Sequence, residues 1–163
     1  MPLDMFLKIG TIPGESTDDK HSDWIEISSF NLGVSQGSTG SRSDAGAASG
    51  GRADFTSFTI TKNVDKATPK VLLSCAKGEH IAAVAVEMCR ATGEKTKFLE
   101  YKMSDVIVTN VTTGGANKDN IPAETVSFNF GKVEITYFAT DHNTGKSKGQ
   151  VAANWDLTKN KGG

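Results

Sequence analysis

With 163 residues, 18 basic and 19 acidic side chains and a formal net charge of −1, the chain has the length of one domain and no charge imbalance to set up a long-range field. Acidic and basic residues are interspersed without the basic stripe that nucleic-acid binding draws on, and no apolar run approaches the ~20 residues of a bilayer-spanning helix, so neither nucleic acid nor membrane insertion is expected. Glycine supplies 17 residues, about 10% against a usual ~7%, which suits the turns and bulges of a β-rich protein.

Residues 3–9 read as a strand, and Gly10 to Asp23 as a turn-rich connection. Past Trp24 the chain alternates, but with a change of phase. Ile25 and Ile27 share one face, and then Phe30, Leu32 and Val34 oppose Ser29, Asn31, Gly33 and Ser35. A period-2 pattern that slips by one residue predicts a bulge near Ser28 and Ser29. Residues 37–51 are rich in Gly, Ser and Ala, with only Arg42 and Asp44 charged, and read as a flexible loop. Alternation resumes with Phe58, Ile60 and Lys62 against Ser57, Thr59 and Thr61.

Thr68-Pro69 predicts a helix start, with Thr as N-cap and Pro at the first helical position; Val71, Leu72, Cys75 and Ala76 share a face, and Gly78 is placed to stop the helix. Ile81 to Arg90 fits helical and strand spacing equally. Further strands are expected over residues 98–103 leading into 105–113, over 124–139 and over 151–157. Val126, Phe128 and Phe130 oppose Ser127 and Asn129, with a phase shift after Gly131. Residues 113–120, containing Gly114 and Gly115, form the turn of a long hairpin; a second turn follows at His142, and residues 159–163 read as a solvated basic tail. The fold class is mainly β: one domain over residues 1–163, a barrel or sandwich of about seven strands with one short α-helix packed on the outside.

The chemistry-bearing residues do not assemble into a motif. Cys75, His80 and Cys89 lack structural-zinc spacing, and both cysteines lie among apolar neighbours. No nucleophile elbow, phosphate loop or calcium loop occurs, so no catalytic residue, metal or cofactor is expected and the protein is not read as an enzyme. The first residues lack the regions of a secretory signal, so synthesis in the cytoplasm without a signal peptide is the expectation.

Several blocks, in order, carry a resemblance: Asp4-Met5-Phe6-Leu7-Lys8-Ile9-Gly10, then Gly14-Glu15-Ser16 and His21, then Phe30-Asn31-Leu32-Gly33-Val34-Ser35-Gln36. The Gly/Ser-rich run, Phe58-Thr59-Ile60-Thr61-Lys62, Val64-Asp65-Lys66-Ala67-Thr68-Pro69 and Asn154-Trp155-Asp156 follow. Together they span nearly the whole chain, which resembles the Hcp family (hemolysin-coregulated proteins) of the type VI secretion system. The resemblance favours a strand over residues 81–90 and implies a domain like that of a phage tail tube. It also implies homo-hexameric rings that stack into a tube, expelled by sheath contraction with effector proteins in its lumen. The implied partners are a VgrG-type spike protein, sheath subunits and effectors; the implied destination is the extracellular space or a target cell, in the service of virulence. The chain stops just past its last strand, so cargo would travel non-covalently.

On this resemblance, the small polar side chains Ser29, Asn31, Ser35, Ser57, Thr59, Ser127 and Asn129 are the lumen-facing candidates. Alternation alone fits a plain solvent-facing sheet equally well. Gly37, Arg42, Asp44 and Gly51 in the loop, with Gly114 and Gly115 in the hairpin turn, are the ring-contact candidates. The alternative is a monomeric small β-barrel that binds a ligand or carbohydrate; a hydrolase with a dispersed site ranks last.

Overall fold

In the computed structural model, which describes residues 3–38, 50–91, 95–141 and 143–163, the chain runs β1 (Leu3–Ile9), β2 (Ile25–Ile27), β3 (Ser29–Asn31), β4 (Val34–Ser38), β5 (Gly50–Phe55), β6 (Phe58–Asn63), α1 (Thr68–Lys77), β7 (His80–Arg90), β8 (Thr96–Gly114), β9 (Ala123–Thr140), β10 (Ser147–Asp156) and β11 (Lys161–Gly162). The protein is mainly β with one short helix. Breaks at Ser28 and at Leu32–Gly33 split one expected strand into β2, β3 and β4; the other additional strands are β5, which pairs with β4, and β11 at the tail.

All pairings are antiparallel. β1 joins β2 and β7, β7 joins β8, β8 joins β9, β9 joins β6, and β6 joins β3. Only Ser28 separates β2 from β3, so this path closes on itself as a barrel and leaves those pairings no loose ends. Ser28 is the corner: Ile25 and Ile27 are buried against β1, Ser28 N–H donates to Thr61 O at 2.7 Å, and β3 continues along β6. The one-residue slip in the alternation is this change of partner. A second slip follows Gly131. Val126, Phe128 and Phe130 are buried before it and Val133 after it. Opposite Gly131, Asp105 takes a left-handed φ of 53°, and a Cβ on Gly131 would lie 3.3 Å from Asp105 Cβ. Beyond this bend, β9 exchanges β6 for β10 as its second neighbour.

The barrel interior is occupied by side chains from every wall, among them Leu7, Ile25, Phe58, Val86, Met103 and Phe128. Phe58 stacks on Phe30 at 6.0 Å and meets Tyr101 edge-on at 5.3 Å. Burial pushes the Tyr101 hydroxyl pKa up. Each large apolar side chain so buried contributes about 1.5–3 kcal/mol.

Helix α1 has the expected bounds, and Gly78 ends it at φ 61°, ψ 37°. Its start and its faces differ from expectation. The cap position is Ala67, with no side-chain cap bond, and Thr68 is already helical. Thr68 Oγ1 instead donates to Glu124 Oε2 at 2.7 Å, a partner 56 residues away that outcompetes local capping. The buried face carries Val71 and Ser74, while Leu72 and Leu73 are exposed and Ala76 faces outward with them. The tail is exposed, as expected, but residues 161–162 are also paired, forming β11 on β10.

The connection from Gly10 to Asp23 is pinned by His21, which is 3% exposed and stacks on Phe6 at 4.1 Å. Its Nδ1 lies 2.7 Å from Asp18 Oδ2, and its Nε2 lies 3.6 Å from Glu87 Oε1. Gly14 is required here, because a Cβ would fall 2.3 Å from Trp24 O. Hydrogen bonds from Lys95 and then His21 hold the Asp18 carboxyl down to about 2. A carboxylate whose pKa is depressed by folding adds stability above its unfolded value near 3.8, and that stability is lost as pH falls through about 2. With Lys95 partly exposed, about 1 kcal/mol is expected to be lost between pH 5 and pH 2. Denaturant melts of wild type and Asp18→Asn should therefore converge over that range; parallel curves would contradict the assignment.

Candidate functional site: a polar barrel face and an open sheet edge

Where the inward side chains of β3, β6, β9 and β8 are apolar, their outward neighbours are small and polar. Ser29 of β3 pairs with Thr61 of β6, Thr61 with Thr125 of β9, and Thr125 with Thr112 of β8. The next rung is Asn31, Thr59, Ser127 and Asn110. Directly opposed residues share a face, so these rungs form a continuous polar ladder across four strands. Its members satisfy one another: Ser29 Oγ and Thr61 Oγ1 are 2.5 Å apart, Thr59 Oγ1 and Ser127 Oγ are 3.0 Å apart, and Ser57 Oγ donates to Asn129 Oδ1 at 2.7 Å. Ser29, Asn31, Ser57, Thr59, Ser127 and Asn129 are thus gathered on one wall. Ser35 is not: it lies on β4, opposite Asp54 of β5, in a separate two-stranded hairpin. Thr61, Thr125, Asn110 and Thr112 complete the ladder. Thr61 and Thr125 continue the polar phases of Thr59 and Ser127, whereas Asn110 and Thr112 lie past a register shift in β8 and are legible only once register is known.

The β4–β5 hairpin takes in both ends of the expected loop. Gly37 lies where the register shifts between Gln36 and Ser38, and Gly51 lies in β5. Arg42 and Asp44, like His142, lie outside the described residues. Arg52 of β5 reaches across to donate to Leu157 O at 2.8 Å, tying this arm to the turn after β10. Gly114 ends β8 opposite Ala123, and Gly115 follows in an exposed turn.

The sheet continues beyond the barrel through β10, which pairs with β9 along Ser147 to Asp156. Its other edge carries β11 only at Trp155 and Asp156. Every residue from Ser147 to Ala153 is exposed, so this stretch is bare on both faces as well as along one edge; Val151 is 71% exposed. On the opposite side of the β8–β9 hairpin, β8 beyond Ile107 pairs only with β9, because β7 begins at His80 opposite Ile107. Among the described residues β10 is therefore bare along one edge, whereas β8 beyond Ile107 has no second strand but has α1 packed near it.

Cys89 is buried, and that burial, with Glu87 adding to it, pushes its thiol up to about 11; Cys75 is half-buried on α1. Among the described residues no group of three or more His, Cys, Asp or Glu side chains could hold a metal ion. The fold and its face define a filled β-barrel domain with a polar outer wall and a bare sheet edge. Residues 6–137 match the family described as "Type VI secretion system effector, Hcp". The chain is 31% identical over 161 residues to Protein hcp1 of Pseudomonas aeruginosa, covering 98% of each. Among solved structures it is similar to one titled as a type six secretion system protein, with TM-score 0.92, 30% identity and coverage of 99% of this chain and 100% of that one. It is also similar to Hcp1 from Salmonella typhimurium, with TM-score 0.81, 31% identity and 99% coverage of both chains. The chain belongs to the Hcp family of type VI secretion proteins.

Proposed function

We propose that this protein is the structural subunit of a type VI secretion inner tube, working mechanically and without a catalytic step. Homo-hexameric rings stack, and sheath contraction drives the tube outward with effector proteins in its lumen. The observation that carries this reading is β10, exposed on both faces and bare along one edge over residues 147–153. A self-sufficient barrel has no use for a bare edge, whereas head-to-tail contacts that close by rotation join two different patches of each copy, of which this edge is one. The monomeric ligand-binding alternative gains nothing from a barrel interior already occupied by core side chains.

In this reading the polar ladder from Ser29 to Thr112 is the lumen wall, and its short hydroxyl and amide groups make weak, adaptable contacts with varied cargo. The β4–β5 arm and the turn at Gly114 and Gly115 are the ring-stacking contacts. The spike protein, sheath subunits and effectors are the partners; the chain is made in the cytoplasm and leaves for the extracellular space or a target cell.

Sizing and negative-stain imaging of the purified protein test this: a hexameric mass and annuli are expected, and a strict monomer at high concentration would overturn it. Asn31→Arg tests the wall. Rings should persist while co-purification of effectors changes; unchanged co-purification would remove Asn31 from the lumen.

A further inference from the structure

The last described residues do something their burial does not explain. β11 is two residues long and both are exposed, so it gains no apolar burial of its own. It lies nonetheless on the outer edge of β10, pairing Lys161 with Asp156 and Gly162 with Trp155. The contact continues one residue further: Asn154 N–H and Asn154 Nδ2 both donate to Gly163 O at 3.0 Å, and Gly163 N–H donates to Asn154 O at 3.2 Å. The backbones approach so closely that a Cβ on Gly162 would fall within 1.9 Å of Asn154 O.

The turn that brings the chain back is built for it. Asp156 Oδ1 accepts from Thr158 N–H at 2.9 Å, Thr158 Oγ1 at 2.5 Å and Lys159 N–H at 3.1 Å, and Asn160 takes a left-handed φ of 52°. The two stretches of edge also differ in character. Lys161 of β11 meets the covered stretch at Asp156, whereas the bare stretch has Val151, Ala152 and Ala153 next to the cap and Lys148, 3.7 Å from Asp141, at its far end.

We propose that residues 161–163 are an edge cap, which confines pairing by a second copy of this chain to residues 147–153 of β10. This rests on the tube-subunit reading, since the second copy is the neighbour in the ring. Backbone pairing alone does not fix register, because any strand slides along a bare edge in steps of two residues and keeps its faces. A covered stretch at one end is a stop against which the incoming strand seats. The cap therefore sets which pairing the ring uses.

The test removes the cap in two ways in the full chain. Gly162→Val pushes β11 off by steric conflict, and Asp156→Ala dismantles the turn that returns it. Native mass spectrometry over a range of concentrations reads the assemblies, and thermal melting checks that the barrel stays folded. Both variants should melt as wild type does, yet show a severalfold loss of the single discrete ring mass in favour of a spread of other multimers. A wild-type distribution in both would overturn the cap. If wild type itself is monomeric throughout, the ring reading fails separately. The cap then stands only if the variants multimerise where wild type does not, and falls if they too stay monomeric.

Discussion

Lys62→Met is expected to cost about 3–5 kcal/mol of stability, the largest effect of any single substitution considered for this fold. Lys62 is 1% exposed and its ammonium is held by four oxygens: Glu124 Oε2 at 3.0 Å, Asp65 Oδ1 at 3.0 Å, Asn63 O at 3.0 Å and Thr68 Oγ1 at 3.2 Å. Removing it strands Glu124, itself 1% exposed, whose Oε1 has no hydrogen-bond partner among the described residues. The remaining bond from Thr68 cannot neutralise that carboxylate. Because breaking a buried pair costs more than the pair contributes, Lys62→Met/Glu124→Leu should recover much of the loss. A double-mutant cycle by chemical denaturation measures this; a single-substitution cost below about 1 kcal/mol would show that water reaches the cluster. The cluster joins β6, β9 and the first turn of α1, so its loss should free the helix from the barrel before the barrel itself opens.

That cluster also shows what could be read from residues alone. Lys62 continues the apolar phase of Phe58 and Ile60, and Glu124 continues that of Val126, Phe128 and Phe130. Two opposite charges, each on the buried phase of a strand, are a legible hint of a buried pair, but only pairing of β6 with β9 brings them opposite each other. The same missing information explains the misread helix start. Thr68 before Pro69 satisfies every local rule for a cap, yet its hydroxyl serves Glu124. It likewise explains the helix faces, since Leu72 and Leu73 look like core by composition and remain on the surface.

Periodicity performed better wherever the cause was local. The slips at Ser28 and after Gly131 mark the two places where a strand changes partner, and six of the seven polar candidates fall on one wall because alternation fixes faces without knowledge of register. Ser35 left that wall because the chain bends at Leu32–Gly33, and a bend between two alternating runs erases the phase relation between them. The tail escaped notice for a different reason. β11 has no hydrophobic pattern, and its only signals are a turn-forming Asp156 and paired glycines. Edges, bends and buried charges thus each depend on contacts distant in sequence.

Val151→Glu should abolish rings while leaving the subunit intact. In the isolated chain Val151 is 71% exposed on β10, so a glutamate there is expected to change stability by no more than about 0.5 kcal/mol. Its neighbour across the sheet, Tyr137 on β9, is 44% exposed, and the two present an apolar strip beside the bare edge. If, as proposed, a second copy adds along residues 147–153, its side chains lie against that strip and the carboxylate loses water without gaining a partner. An unpaired charge buried at such a contact costs several kcal/mol, and a closed ring incurs it at every contact, so the penalty multiplies where a dimer would incur it once. Val151→Thr, which keeps the branched shape and carries no charge, should retain rings at somewhat higher protein concentration. Analytical ultracentrifugation of the three proteins separates the cases. Rings of undiminished stability in Val151→Glu would place the subunit contact elsewhere.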